Sequence, residues 1–186
     1  MIKIRPSPTA DTRTCDFAKV SKDTLYESSL QHIGDVRAGL AFFASRLAAA
    51  GAVHDYDKLA AIDHFHADFR TGFKETGWWD NHRQVNRHHL TEADGVPADV
   101  NLIDVLDFIT DCVMAGMARS GSVRPLTISH EVLQRAFENT ATLLAANVEV
   151  VACTEPCCVW ERRPDGSDAP VPAPPASGTR ESGGET

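Results

Sequence analysis

The residues with the clearest chemical potential in this chain are His54, Asp55 and Lys58. An imidazole and a carboxylate that are adjacent in sequence can bind one metal ion together, and an ammonium group one helical turn later can pair with a phosphate drawn to that metal. With this composition, about 0.7 His-Asp pairs are expected by chance, but only roughly 0.02 with a lysine three places later. The triplet therefore predicts metal-assisted chemistry on a phosphorylated compound.

Further candidate ligands come from the other histidines, seven of which lie between positions 32 and 89. His32 lies mid-way along a predicted helix beside its apolar residues, where it is either a ligand or a core histidine. Residues His82, Asn86 and His89 are spaced by four and three, so they share one helix face. His88 points about 100° away from His89. Spacing does not decide which of the two adjacent histidines binds a metal, although the shared face favours His89.

Carboxylates recur at helical spacing later in the chain, at Asp104, Asp107 and Asp111. Asp104 either contributes to a site or lies on a solvated helix face. Asp111 has mostly apolar neighbours, so we expect it to be buried with a partner.

A phosphorylated substrate should be met by cations and, if it carries a base, by an aromatic ring. The candidate cations are Lys58, Arg83, Arg87, Arg119 and Arg124. For each arginine the alternative is an ordinary solvated side chain. Trp78 and Trp79 precede the histidine-rich segment and could stack on a base or pack in the core.

Composition limits the classes of function. The 186 residues are 42% hydrophobic, enough for one well-filled core and too few for two large domains. A net charge of −8 disfavours binding to duplex nucleic acid. Neither a run of eighteen apolar residues nor a secretory signal is present, so we expect a cytoplasmic protein without a membrane segment.

Cysteine usage fits the same compartment, because five cysteines and no export signal indicate reduced thiols. The cluster Cys153, Cys157 and Cys158 is either half of a zinc site or a set of plain thiols on a terminal segment.

Apolar periodicity predicts an all-α fold, a single bundle of about five main helices that would position these side chains. The predicted helices cover 23–50, 58–69, 78–90, 100–118 and 129–146. A β-branched run at 148–153 has no evident partner. We divide the chain into an N-terminal arm (1–22), a helical domain (23–150) and a Cys-containing segment with a disordered Pro/Ala/Gly-rich tail (151–186).

The order of the candidate ligands resembles the HD superfamily of metal-dependent phosphohydrolases. In that family a first His, the His-Asp doublet and a distant Asp bind one divalent metal inside a helical bundle. His32, His54, Asp55 and Asp111 match this order. Additional histidines resemble the members that hold two metals bridged by the doublet Asp. His82 and either His88 or His89 would then serve the second ion.

A closer resemblance is to an uncharacterised family of small phage and bacterial proteins, over about residues 25–120. Its pattern, from an early His through H-D-x-S-K and H-x-x-x-N-x-H-H to an acid-x-x-x-Asp, is matched at 54–58, 82–89 and 107–111. Two positions depart from it. Asp57 stands where Ser is frequent, and 90–91 stand where Pro is common.

The resemblance implies a hydrolase that uses metal-activated water on a nucleotide or other small phosphorylated molecule. One or two divalent ions are expected, chosen from Mn, Fe, Co, Zn, Ni and Mg. The alternatives are a phage-type protein that sequesters a metal-bound nucleotide without turnover, a helical protein tied together by its metal, and a di-iron oxygenase. An apolar face on the last helix could form a homodimer contact as easily as core; it comprises Val132, Leu133, Phe137, Leu143 and Leu144.

Overall fold

The computed structural model describes residues 1–7, 17–91 and 94–152. Helices make up most of this part of the chain, so the prediction of an all-α fold is confirmed. The helices are α1 (Lys22–Val53), α2 (Tyr56–Ala60), α3 (Ile62–Arg70), α4 (Trp78–Val85), α5 (Leu102–Ser120) and α6 (His130–Ala145). Two short strands, β1 (Ile2–Ile4) and β2 (Val148–Val150), flank them.

Helix ends follow local capping chemistry where the sequence carries it. Ser129 begins α6 as predicted, because its hydroxyl accepts a hydrogen bond from the backbone N–H of Val132. Asn101 and Asp104 form a capping box that begins α5. Gly121 ends α5 in the left-handed region, at a φ of 66°, where glycine has no side chain to clash.

Three predicted helix boundaries are wrong. Helix α1 continues past Gly51 to Val53. The single helix predicted over 58–69 is two helices, because Ala61 leaves helical geometry at φ −127° and ψ 42°. The helix predicted over 78–90 ends at Val85, and its last residues form a turn instead.

The two strands pair in parallel, with Ile2 opposite Val148 and Ile4 opposite Val150. Sequence reasoning left 148–153 without a partner and placed Ile2–Ile4 in an irregular arm. A three-residue strand gives little periodic signal, and its partner lies at the other end of the described chain. The predicted tail and the cluster at 153–158 lie outside the described residues.

The hydrophobic core lies between α5, α6 and the segment that leads into α5. Its buried members are Leu90, Val100, Val105, Phe108, Val132 and Ala136. Helix α6 also holds the start of α5, since the Thr140 hydroxyl accepts a 2.8 Å hydrogen bond from Leu102 N–H. On the outer side of α6, Leu133 and Phe137 are exposed, and a dimer contact there stays a prediction.

Helix α1 packs along α5 and β1 but leaves most of its surface uncovered. The stretch 22–60 is long and apolar enough to meet a length-and-hydropathy criterion for a membrane-crossing helix, with 6% of its most apolar window buried. The charged residues Asp35, Arg37 and Arg46 interrupt this stretch, and a cytoplasmic location stays a prediction.

Candidate metal centre

The His-Asp doublet forms the turn between α1 and α2. His54 ends α1, and Asp55 adopts a left-handed conformation with φ 54° and ψ 18°. Aspartate tolerates this region better than most residues because its short side chain crowds the backbone less. Both side chains lie close to carboxylates of α5, His54 to Asp107 and both to Asp111.

The early end of α4 brings a second group of imidazoles to the same place. His82 lies on α4, and the backbone becomes extended at Asn86, with φ −98° and ψ 112°. In the turn that follows, Asn86 and His88 are buried, whereas Arg87 between them is exposed.

Close backbone packing fixes this turn. A side chain at Gly95 would place its Cβ 2.6 Å from the carbonyl oxygen of His89, so only glycine fits. Arg87 donates hydrogen bonds of 2.8 Å to both carboxylate oxygens of the buried Asp104. The turn that carries His88 and His89 is therefore tied to the first turn of α5.

Helix α5 contributes the carboxylates on the other side. Asp107 Oδ1 lies 2.9 Å from His54 Nδ1, and Asp107 Oδ2 lies 3.7 Å from His88 Nδ1. One turn later, Asp111 Oδ1 lies 3.8 Å from His54 Nε2. The three-to-four spacing of the aspartates thus directs two of them towards the histidines.

One oxygen of Asp55 belongs to a first set of converging ligand atoms. Asp55 Oδ1 lies 3.4 Å from His82 Nε2 and 3.6 Å from His88 Nε2. Ligand atoms of these residues and of His89 all lie within 4.8 Å of one another. Atoms bonded at about 2.0–2.1 Å in a tetrahedral shell are about 3.3 Å apart. The spacing therefore fits a cation at the centre of this set.

The other oxygen of Asp55 belongs to a second set, formed with His54 and Asp111. Asp55 Oδ2 lies 3.5 Å from His54 Nε2. Lys58 Nζ also donates a hydrogen bond to this oxygen. A third grouping combines His54, His88 and Asp107. Because Asp55 takes part in both of the first two sets, it is placed to bridge two cations.

Several potential ligand atoms are buried without a hydrogen bond. Among the described residues, Asp55 Oδ1, His82 Nε2 and His89 Nε2 have no hydrogen-bond partner. Leaving such atoms unsatisfied costs free energy, which a bound cation would remove. The donor set therefore fits a divalent metal.

The protonation states of these residues also favour metal binding. Burial lowers the pKa of His88, with a further contribution from the charge of His54. Burial, together with the charges of His88 and His82, lowers the pKa of His89 to about 4. Burial alone would raise the pKa of Asp55, but the hydrogen bond and charge of Lys58 outweigh it, and that pKa is below its ordinary value. Neutral imidazoles and an ionised carboxylate are the forms that bind metals.

A cleft of about 610 Å³ opens beside these residues. Its wall carries His88, His89 and Asp111 together with the cations Lys58, Arg119 and Arg124. Trp79 and Cys112 line it as well. Candidate ligands and candidate phosphate-binding cations thus face one space.

The structure does not bring His32 to this centre, and its prediction as a ligand is wrong. His32 is exposed on α1 and lines a separate cavity with β1 and β2. An α-helix rises about 1.5 Å per residue, so His32 lies roughly 30 Å from the end of α1 that carries His54. Of the predicted ligands, the structure brings together His54, Asp55, His82, His88, His89 and Asp111.

Two predicted substrate cations are engaged elsewhere. Arg83 bonds Asp94 at 2.8 Å, and Arg87 bonds Asp104. Neither lines the cleft. Both arginines stabilise the loop between α4 and α5, so the structure contradicts their assignment to substrate.

Trp78 is also not available to a substrate, contrary to the prediction. Its side chain is buried. The centroid of its ring lies 4.4 Å from the ring centroid of Phe65 and 4.7 Å from that of His82. Trp79 lines the cleft instead. The two tryptophans point to different sides of α4, and their positions in the sequence do not show which of them faces the cleft.

Sequence reasoning assigned no role at the site to Asp57 and did not commit to Asp107. Asp57 Oδ2 lies 2.8 Å from His82 Nδ1, and Asp107 contacts His54 and His88. The signal available was position: Asp57 follows the doublet by two residues, and Asp107 precedes Asp111 by one helical turn.

Comparisons with protein-family models, with curated proteins and with solved structures found no match.

Proposed function

We propose that this protein is a metal-dependent phosphohydrolase that acts on a nucleotide or another small phosphorylated molecule. One observation carries the proposal: buried, unpartnered ligand atoms of Asp55, His82 and His89 converge beside a cleft lined by cations. Metal ligands support hydrolysis and cations support phosphate binding, and here both face the same space.

The ligand set indicates which metal to expect. His82, His88 and His89 with Asp55 would hold one ion, and His54 and Asp111 with Asp55 a second. Mixed imidazole and carboxylate donors favour Mn, Fe, Co, Zn or Ni over Mg, which prefers oxygen ligands. When bound, such ions lower the pKa of a coordinated water towards about 7 and so supply hydroxide at neutral pH.

The protein's own groups would bind and orient the substrate. Lys58, one helical turn after Asp55, is placed to neutralise a phosphate next to the ligands. Arg119 and Arg124 line the same cleft and could hold further phosphate oxygens through paired hydrogen bonds. Trp79 offers an aromatic face for a base.

The resemblance to HD phosphohydrolases supports the proposal at three positions and weakens it at one. His54, Asp55 and Asp111 approach one another as that ligand order requires. His32, matched to the first histidine of the family, lies too far away to take part. His82 on α4, with His88 and His89 after it, provides the imidazoles that His32 does not.

The decisive test combines metal analysis with a substrate screen. Protein purified without added metal would be examined by elemental analysis, then assayed for phosphate release from nucleotides and other phosphorylated compounds. We expect bound divalent metal, and hydrolysis that EDTA abolishes. Asp55→Ala should lower turnover at least a hundredfold, whereas Asp63→Ala, on the exposed surface of α3, should leave it unchanged.

Two results would contradict the proposal. Turnover that survives both EDTA and Asp55→Ala would mean that these ligands do not support the chemistry. Tight nucleotide binding without product, even with metal present, would instead identify a sequestering protein.

A further inference from the structure

The hydrogen bonds around His82 single out Asp57, a residue of α2 two positions beyond Asp55. The His82 side chain is completely buried, at 0% exposure. Its Nδ1 lies 2.8 Å from Asp57 Oδ2, and Asp57 Oδ1 accepts a 2.9 Å hydrogen bond from Asn86 Nδ2. The carboxylate is therefore held from two directions, with one oxygen directed at the imidazole.

The position of the ring proton follows from the available donors. An ionised carboxylate can only accept, so a contact of 2.8 Å requires His82 Nδ1 to donate. Asn86 Nδ2 also lies 3.0 Å from Nδ1, but its two protons go to Asp57 Oδ1 and to the carbonyl oxygen of His82, the latter at 3.0 Å. No amide proton remains for Nδ1, which must itself carry hydrogen.

With a proton on Nδ1, Nε2 on the opposite side of the ring is the nitrogen through which His82 can bind a metal. That atom has no hydrogen-bond partner among the described residues and lies 3.4 Å from Asp55 Oδ1. A metal ion, or a proton when no metal is bound, would remove the repulsion between a lone pair on this nitrogen and the carboxylate oxygen. The arrangement of Asp57, His82 and Asp55 in a row therefore suits a cation between the last two.

We propose that Asp57 is a positioning residue that fixes His82 in the tautomer protonated on Nδ1 and so presents Nε2 to a divalent metal shared with Asp55. The inference rests on the metal centre of the proposed function. A carboxylate on the far side of a ligating imidazole orients the ring and raises the basicity of the ligating nitrogen. Removing such a partner weakens metal binding about 10- to 100-fold.

The test uses the full chain and Zn²⁺ alone as the probe, so it requires no substrate. The dissociation constant for Zn²⁺ is measured by competition with a chelator for the wild type, Asp57→Asn, Asp57→Ala and Asp57→Glu. We expect the first two variants to bind Zn²⁺ about 10- to 100-fold more weakly, and Asp57→Glu to recover part of the loss. Asp63→Asn, an exposed carboxylate on α3, is the matched control and should change the constant less than about twofold.

The second readout is the ¹⁵N NMR spectrum of the imidazole nitrogens in the metal-free wild type at pH 7.5. It should show His82 protonated on Nδ1, the nitrogen that faces Asp57. A ring without a proton on Nδ1 overturns the proposal. So does unchanged Zn²⁺ affinity in Asp57→Ala and Asp57→Asn, with circular dichroism confirming their fold. If both variants fail to fold, the tautomer of the wild type decides.

The two proposals fail in different ways. A protein that binds Zn²⁺ in an Asp57-dependent manner yet hydrolyses no phosphorylated compound contradicts only the proposed function. A wild type that binds no divalent metal overturns both.

Discussion

Asp55 is the residue on which the centre depends, because each of its oxygens faces a different set of ligands. Oδ1 faces His82 and His88, and Oδ2 faces His54. Lys58 donates to Oδ2, so in this structure an ammonium group supplies positive charge on that side. A metal ion beside Oδ2 would compete with Lys58 for the same oxygen and repel it.

This competition makes Lys58→Met informative. Removing the ammonium group should strengthen metal binding about three- to tenfold, because roughly 1 kcal/mol of repulsion between like charges disappears. If the proposed function holds, turnover should also fall, because a cation that would pair with the substrate phosphate is lost. Calorimetric titration with Mn²⁺ and a phosphate-release assay measure the two effects.

Lys74→Met, in the exposed loop between α3 and α4, is the matched control and should change neither quantity. Weaker metal binding in Lys58→Met would show that Lys58 supports the ligands rather than competing with a cation.

At the scale of elements, Asp68 connects α3 to α4 and so sets the position of His82. The carboxylate is completely buried, at 0% exposure. Its two oxygens accept 3.0 Å hydrogen bonds from the backbone N–H groups of Thr76 and Trp79. The N–H of Trp79 in the first turn of α4, and the N–H of Thr76 just before the helix, are thereby satisfied by a residue of the preceding helix.

The pKa of Asp68 predicts sensitivity to acid. Burial alone would raise this pKa, but the hydrogen bonds from Thr76 and Trp79 outweigh it and hold it below its ordinary value of 3.8. A carboxyl whose pKa is lower in the folded state stabilises the fold above its unfolded pKa, and this stabilisation disappears as the pH falls through the folded value. The melting temperature of the metal-free protein should therefore fall steeply below about pH 4.

Asp68→Asn isolates this contribution. The variant should melt several degrees lower than the wild type at pH 7, and the difference should shrink as the pH approaches 3. Asp63→Asn, an exposed acid on the same helix, serves as the control. A difference that is independent of pH would exclude Asp68 as the titrating group.

Elements were predictable from sequence to the extent that local signals fixed them. Periodicity located the long helices, and Ser129 and Gly121 marked true helix ends. Nothing local indicated that the backbone leaves helical geometry after Val85, which brings both His88 and His89 to the centre rather than one. His32 was misassigned although the predicted helix over 23–50 already separated it from His54. Matching His32 to the family's order of ligands did not take into account the length of the helix between His32 and His54.

For the whole molecule, the candidate centre joins α4, which makes few direct contacts with α5, to α1 and α5, which pack against each other. Its side chains come from the turn after α1, from α4, from the turn after α4 and from α5. The hydrophobic core, in contrast, lies between α5, α6 and the segment leading into α5. Metal binding should therefore stabilise α1 and α4 against α5 more than it stabilises the core.

Metal removal should accordingly lower stability. A ligand that binds only the folded state stabilises it by about 2.7 kcal/mol when its free concentration is a hundred times its dissociation constant. We expect the melting temperature to rise with Zn²⁺ or Mn²⁺ and to fall with EDTA, and hydrogen exchange of α1 and α4 to slow on metal addition. Asp55→Ala should abolish both responses, and equal responses in that variant would place the ion elsewhere.

The pairing of β1 with β2 affects the order in which parts of the chain fold. These strands lie at opposite ends of the described part of the chain, so no ladder between them can exist until almost all intervening residues have been synthesised. The contacts between α5 and α6 join residues that are much closer in sequence. The helical core would therefore form first, and the pairing of Ile2–Ile4 with Val148–Val150 would be a late step.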